Sequence, residues 1–426
     1  MKEAVYWLDT LPKKEAGNEQ EDVRERVDVL VIGAGYTGLS AARRLAKSGA
    51  TVLVVEREHI GFGASSRNAG QTLTGLRLDP KTLVARYGES QARQLFKSSL
   101  FALEHLEALL AAESIDCEYE RTGHIQAAWK AGHFESLRKE QAILARVFGH
   151  PVEVLSKEQQ RREIGSDCYH GVLVDQRSGA LNPAQYVNGL ADAARRAGAA
   201  IATGITVERL KRADDAWTVT TSSGPIHARD VLIATNGYTG AATPMLQRSM
   251  VSIGSYSVVT EPLAEADALR LLPNRRMAYD SKQFLYYFRL TSDHRLLFGG
   301  RASFTQANEN TTRRAAAILR QGIDTVFPEL ARTPLAYAWG GQVSIARDQR
   351  PHAGRLGDGT YFAGAYAGHG IAMATLLGDL TARRLGGEPV DDPFMDDRLP
   401  PIPFYSGTPW FLPLLGAYYR VKDWIS

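Results

Sequence analysis

The stretch Val29-Leu30-Val31-Ile32-Gly33-Ala34-Gly35-Tyr36-Thr37-Gly38-Leu39-Ser40-Ala41-Ala42, continued by Thr51-Val52-Leu53-Val54-Val55-Glu56, decides the fold. Its apolar opening run predicts a buried strand, residues 39–46 predict a helix, and the second β-branched run predicts a neighbouring parallel strand. The three glycines have separate tasks. Gly33 makes the tight turn out of the strand, Gly35 lets backbone approach a pyrophosphate, and Gly38 permits close packing of helix on strand. Ala34, Tyr36 and Thr37 complete a turn whose N–H groups, at the positive end of the helix dipole, suit phosphate oxygens. Glu56, about 20 residues further on, reaches a ribose hydroxyl pair, with Arg57 beside it. Strand, glycine turn, helix and terminal acid in this order predict a dinucleotide site on a Rossmann-like, mostly parallel sheet.

The chain around this unit has 426 residues, too many for one core, so two domains are expected. Alternating texture places residues 27–115, 180–250 and 345–395 in the α/β domain. Residues 116–179 and 251–344 fall in a second domain with an antiparallel sheet. Residues 1–26 read as a polar lead-in and 396–426 as a tail. Helices are predicted over residues 79–113, where Leu95, Leu100, Leu103, Leu106, Leu109 and Leu110 line one side, and over 134–146, 183–197 and 311–327. Fifty basic and 47 acidic residues give a net charge of only +3, which points away from a nucleic-acid partner. The two cysteines, Cys117 and Cys168, form neither a disulfide framework nor a metal-ligand pattern. No metal site is expected. The first residues carry no apolar leader core, and no apolar run is long enough to span a bilayer, so a cytoplasmic location is expected.

Three further segments bear on which dinucleotide binds. Gly61-Phe62-Gly63-Ala64-Ser65-Ser66-Arg67-Asn68-Ala69-Gly70-Gln71 offers backbone N–H groups, hydroxyls and one cation to phosphates. Ala234-Thr235-Asn236-Gly237 ends an apolar strand. Ala363-Gly364-Ala365-Tyr366-Ala367-Gly368-His369-Gly370-Ile371 repeats the strand, glycine loop and helix start, and can cradle a flavin carbonyl or ribityl group. On the residues alone, an NAD-dependent dehydrogenase and a non-catalytic dinucleotide-binding module remain alternatives.

Together these segments resemble the D-amino-acid-oxidase-type flavoproteins, the group of glycine and sarcosine oxidases. Within it, the chain is similar to the gamma-glutamylputrescine oxidoreductase branch. The likeness extends to Tyr286-Tyr287-Phe288-Arg289-Leu290-Thr291, to Arg295-Leu296-Leu297-Phe298-Gly299-Gly300, to Trp339-Gly340-Gly341, to Tyr6-Trp7 and to Ala417-Tyr418-Tyr419. The resemblance implies one FAD held by the glycine segments above together with Val207. Some relatives attach flavin through a histidine or cysteine near the first glycine loop or the C-terminal motif. Residues 61–71 hold neither, so non-covalent FAD is expected. Sarcosine oxidases place a lysine in the strand matching residues 295–301. Here that strand reads Leu296-Leu297-Phe298, which leaves O2 or another carrier open as electron acceptor.

The implied chemistry is oxidation of a primary or secondary amine by hydride transfer to flavin, giving an imine that water converts to an aldehyde. A gamma-glutamylputrescine-like amine leads the substrates, and a sarcosine-like N-alkyl amino acid follows. An aromatic pocket favours the neutral amine, whose lone pair assists hydride departure. His369, Tyr256 and Trp339 are the catalytic candidates. Tyr286, Tyr366, Arg289 and Arg301 are the substrate-binding ones, the arginines for a carboxylate. Arg67 is expected near the flavin. The aromatic C-terminal tail is expected to pack on the body or a neighbouring subunit rather than on a membrane.

Overall fold

The computed structural model describes residues 1–12, 23–300, 309–407, 409–412 and 416. The strand Arg26–Ile32 forms the middle of an eight-stranded sheet. It pairs in parallel with Val52–Val55 on one side and with Gly224–Ile233 on the other. Ala200–Ala202 and Tyr361–Gly364 extend these parallel pairings outward. Val29, Leu30, Val31, Val52, Leu53 and Val54 are fully buried, because helices or a further hairpin layer cover both faces of this sheet. The helices Tyr36–Lys47, Pro183–Arg196 and Gly370–Leu385 pack on one face, joined by the long helix Pro80–Glu113. Leu95, Leu103, Leu106, Leu109 and Leu110 of that helix are buried there as their spacing predicts, and Leu100 packs against a smaller cluster. Gly88, at φ +73°, interrupts the helix with a kink.

The second sheet also has eight strands, ordered Leu335–Ala346, Met250–Thr260, Leu296–Gly300, Tyr286–Leu290, Met277–Asp280, His124–Ala127, Gly171–Asp175 and Glu153–Ser156. All neighbours are antiparallel except one pair: Met277–Asp280 runs parallel to His124–Ala127. That pair departs from the all-antiparallel expectation. A parallel pair needs a long crossover, and here the intervening chain passes through the first sheet before returning. The helix Glu309–Val326 buries one face of this sheet through Phe288, Phe298, Leu319, Ile323 and Phe327. The other face turns toward the first sheet.

Some expectations lie outside the described residues: Arg301, residues 13–22 of the lead-in, and residues 408, 413–415 and 417–426 of the tail. In the described part of the tail, Tyr405 and Leu412 bury against Val251 and Ile253, while Phe404 and Trp410 stand exposed. Among the described residues no helix is long and apolar enough to cross a membrane, and no group of three or more His, Cys, Asp or Glu side chains is placed to hold a metal.

Candidate active site

A cavity of about 1020 Å³ runs between the two sheets. Its first half is built by the glycine segments. Gly33 takes φ +108°, a backbone state that glycine adopts freely, and so turns the chain from strand to helix. Glu56 Oε2 accepts a hydrogen bond from the Ala34 N–H at 2.9 Å, and Oε1 accepts from the Glu58 N–H at 3.1 Å. The acid is thereby locked at the mouth of the turn. Gly33, Gly35, Tyr36, Thr37, Glu56, Arg57, Gly63, Ala64, Ser65, Arg67, Asn68, Ala69, Gln71, Val207, Ala234, Thr235 and Asn236 all line this half. At the other end lie Tyr366, Gly368, His369, Gly370 and Ile371.

The helices Tyr36–Lys47 and Gly370–Leu385 both start at the cavity, and neither has a side-chain cap from its N-cap residue, Gly35 or His369. The Tyr36 N–H donates to Ser65 Oγ at 3.1 Å, and the positive dipole ends of both helices face whatever fills the space. Open space lies where a side chain at Gly368 would sit, on φ +103°. The Tyr366 hydroxyl meets Thr37 Oγ1 at 2.6 Å and ties the second glycine loop to the first helix. A dinucleotide with a fused ring system fits these features: an anion cradle, a ribose-binding acid and a second helix start at the far end.

Arg67 is held rather than loose. Its Nε donates to the Phe62 carbonyl at 2.7 Å and its Nη1 to the Gly340 carbonyl at 3.0 Å. Asn68 Nδ2 donates to the Ala64 carbonyl at 2.8 Å, and Asn68 Oδ1 accepts from the Gly70 N–H at 2.8 Å. These bonds fix the loop that carries a positive charge into the middle of the cavity.

Several expected site residues lie elsewhere. Tyr256 is 1% exposed and packs in the core of the second sheet, while its neighbour Ser255 lines the cavity. Trp339 is buried and donates its Nε1–H to the Arg67 carbonyl at 2.9 Å, so it supports Arg67 from behind. Tyr286 packs on Phe298 and Tyr287 takes the cavity position. In each pair of adjacent strand residues the period of two sends one residue to each face, and Tyr256 and Tyr286 fall on the core side. Arg289 is buried with its guanidinium donating to the Leu181, Gly70 and Leu290 carbonyls at 2.9, 3.3 and 3.1 Å, and it does not face a substrate. Ala34, Gly38, Ser66, Gly70, Gly237 and Gly364 shape the walls without lining them. Gly38 packs on the Gly33 carbonyl, Gly70 on the Leu181 carbonyl, Gly237 on Gln342 and Gly364 on Met250. Ser66 donates to the Gly61 carbonyl at 2.7 Å.

The far half of the cavity holds residues that the sequence reading passed over: Thr74, Arg77, His124, Glu140, His150, Asp175, Tyr279 and Lys282. They come from widely separated segments, and no spacing links them. Asp175 accepts from Thr74 Oγ1 and pairs with His150 Nε2, both at 2.6 Å, and His124 Nδ1 meets Ser178 Oγ at 2.8 Å. His369 borders this half. Burial, then the charges of Arg77 and His124, push its pKa down to about 4, so the imidazole is neutral at physiological pH. Its Nδ1 is buried with no hydrogen-bond partner among the described residues.

Comparison with known proteins bears on this arrangement. A family model described as "DAO: FAD dependent oxidoreductase" matches residues 28–384. The chain is 32% identical to the gamma-glutamylputrescine oxidoreductase of Escherichia coli over 401 residues, 93% of this chain and 92% of that protein. It is also 32% identical over 369 residues to a probable oxidoreductase, OrdL, of Haemophilus influenzae, covering 85% of this chain and 84% of the relative. Among solved structures, glycine oxidase from Geobacillus kaustophilus superposes with a TM-score of 0.73 at 21% identity, over 87% of this chain and 98% of that one. L-amino acid deaminase from Proteus vulgaris superposes at 0.71 with 18% identity, over 88% and 98%. These structural likenesses speak for the fold, and the sequence match covers both sheets. The chain belongs to the DAO family of FAD-dependent oxidoreductases.

Proposed function

We propose that this protein oxidises the terminal primary amine of a gamma-glutamylputrescine-like substrate, with FAD bound non-covalently across the glycine segments. That it is an FAD-dependent oxidoreductase acting on an amine or amino acid follows from its family. Bound FAD supplies the two-electron acceptor for a hydride from the carbon beside the nitrogen. The protein's own part is to present that carbon and the nitrogen lone pair correctly. The observation that carries the reading is His369, a neutral, buried imidazole that stands in one cavity with both helix starts and has an unpartnered Nδ1. An alkylammonium has a pKa of about 10, so a base near 4 does not strip its proton. A neutral imidazole instead accepts a hydrogen bond from a neutral amine and orients its lone pair. Loss of hydride from the neutral amine leaves an iminium ion, which water cleaves to an aldehyde and ammonium.

Arg67, clamped to the Gly340 and Phe62 carbonyls, brings positive charge to the place where negative charge gathers as the hydride leaves. Arg289, expected to bind a substrate carboxylate, is committed to backbone carbonyls and offers that role to neither the gamma-glutamyl nor the sarcosine-like substrate.

The direct test is anaerobic. Gamma-glutamylputrescine added to the purified yellow protein should bleach the flavin, and colour that returns slowly in air would identify an acceptor other than O2. Flavin untouched by this amine but bleached by sarcosine would overturn the substrate assignment. His369→Ala should slow bleaching about 100-fold, the order of loss that misplaced reactants produce. Because His369 titrates only near pH 4, the pH profile above about 5 should keep its shape in the variant. A limb near neutrality that disappears with His369 would show proton transfer instead of orientation.

A further inference from the structure

The far wall of the cavity carries one carboxylate with nothing to do in the protein alone. Glu140, on the helix Ala131–Phe148, lines the cavity beyond His369. The neighbouring acids are all engaged. Asp79 accepts from the Thr82 N–H at 2.8 Å and its hydroxyl at 2.6 Å. Asp175 holds Thr74 and His150. Asp280 lies 3.1 Å from Lys282 Nζ. Glu140 has no hydrogen bond or ion pair among the described residues, and burial, followed by the charge of Asp79, pushes its pKa up to about 7. A partly buried carboxylate without a partner, facing a cavity, is an arrangement that a bound cation relieves.

The surroundings suit the end of a long substrate. Tyr279 stacks on His124 with ring centroids 5.4 Å apart, and the charge of Glu140 reaches Tyr279. The charges of His124 and Arg77 reach His369. One continuous wall therefore leads from His369 to Glu140. Leu83, Phe96, Leu144 and Leu173 line the same half and suit an aliphatic chain. His150 stands on this wall too, 2% exposed, with Nδ1 lacking a partner among the described residues. It is a second unfilled polar position.

We infer that Glu140 forms a second subsite, which binds an alkylammonium at the end of the substrate remote from the oxidised carbon. This rests on the amine-oxidation reading, which requires the reacting end of the substrate to lie at His369. A gamma-glutamyl amide presents such a cation as its α-ammonium. The subsite then selects amines with a second positive nitrogen over simple alkylamines, since an analogue without it leaves the cavity-facing carboxylate unpaired.

Calorimetric titration of the FAD-loaded, full-length protein tests this, with gamma-glutamyl-n-butylamide and its deamino analogue, the mono-n-butylamide of glutaric acid. Both lack the terminal amine and differ only in the α-ammonium. The wild type should bind the ammonium-bearing amide at least tenfold more tightly, and Glu140→Gln should bind the two alike. Glu140→Asp, which keeps the charge on a shorter arm, should show a reduced preference and decides the matter if the glutamine variant loses FAD. Equal binding in the wild type, no binding of either amide, or a preference that survives in both variants would overturn the subsite. Bleaching by the butylamide itself would do so as well, because it would place the α-nitrogen at the flavin. Bleaching by gamma-glutamylputrescine, recorded separately, keeps the two ideas apart. Bleaching without the binding preference removes the subsite alone, and the preference without bleaching removes the amine-oxidation reading alone.

Discussion

Gly38→Ala is expected to abolish FAD retention and to unfold the first domain at temperatures the wild type survives. A Cβ at position 38 would lie 2.0 Å from the Gly33 carbonyl oxygen, 3.2 Å from its carbon and 3.1 Å from Val31 Cγ1. The first two are backbone atoms of the turn itself, so no side-chain rotation relieves the contact. The helix Tyr36–Lys47 would have to lift off the strand Arg26–Ile32, taking its N-terminal N–H groups away from the phosphate position. Overpacking of this kind costs more than about 3 kcal/mol where the backbone has no room to yield. Gly35→Ala is the informative contrast. Its Cβ would meet only Ser65, with the hydroxyl oxygen at 2.9 Å, and that side chain can rotate away at the loss of its bond to the Tyr36 N–H. It should keep part of its FAD. The measurements are the flavin-to-protein absorbance ratio and the melting temperature. A Gly38→Ala protein with full FAD and unchanged melting would remove the assigned packing role.

Arg289→Met is expected to destabilise the protein strongly while leaving substrate affinity nearly unchanged per folded, FAD-loaded molecule. The guanidinium is buried and donates to the Leu181, Gly70 and Leu290 carbonyls. Burial lowers its pKa to about 10, which still leaves it charged at neutral pH. It knots the strand Tyr286–Leu290 to residues 70 and 181, just behind the segment from Gly63 to Gln71 that faces the cavity. Methionine fills much of the volume but leaves these carbonyls without donors, and each unpaired buried polar group costs about 1–3 kcal/mol. A total loss of about 3–5 kcal/mol and a melting temperature at least about 5 °C lower are expected. If the residue bound a substrate carboxylate instead, KM would rise and the melting temperature would stay. The two measurements together separate these roles.

Both variants probe features of unequal visibility in the sequence. The Gly33–Gly38 turn is visible because its determinants are local: strand, turn and helix are consecutive, and each glycine answers a backbone requirement within a few residues. Glu56 is visible because the second strand lies directly beside the first, so its end must come near the turn. The amphipathic leucines of Pro80–Glu113 are visible because one periodicity encodes one buried side. Family membership rests on several such local units in a fixed order.

Strand faces were harder. Tyr256 and Ser255, or Tyr286 and Tyr287, differ by one residue in a period of two, and the second sheet is covered on both faces, by the helix Glu309–Val326 on one and by the cavity and the first sheet on the other. With apolar surroundings on both sides, neither hydrophobicity nor aromatic content says which face holds the site. The places of Trp339 and Arg289 are hidden from the sequence for a related reason. Their polar atoms are satisfied by carbonyls of residues far away in the chain, such as Arg67 and Leu181, and no local pattern announces such partners.

By itself, then, the sequence determined the dinucleotide unit, the parallel sheet around it and the FAD-oxidoreductase family, because short-range backbone geometry and periodicity carry that information. Only the tertiary structure decided which aromatics face the cavity, why Arg289 is structural, and that Glu140, His124 and His369 share one wall. Those facts depend on a crossover that brings Met277–Asp280 beside His124–Ala127, and contacts across such separations are set by the packing of the two sheets rather than by any neighbourhood in the chain.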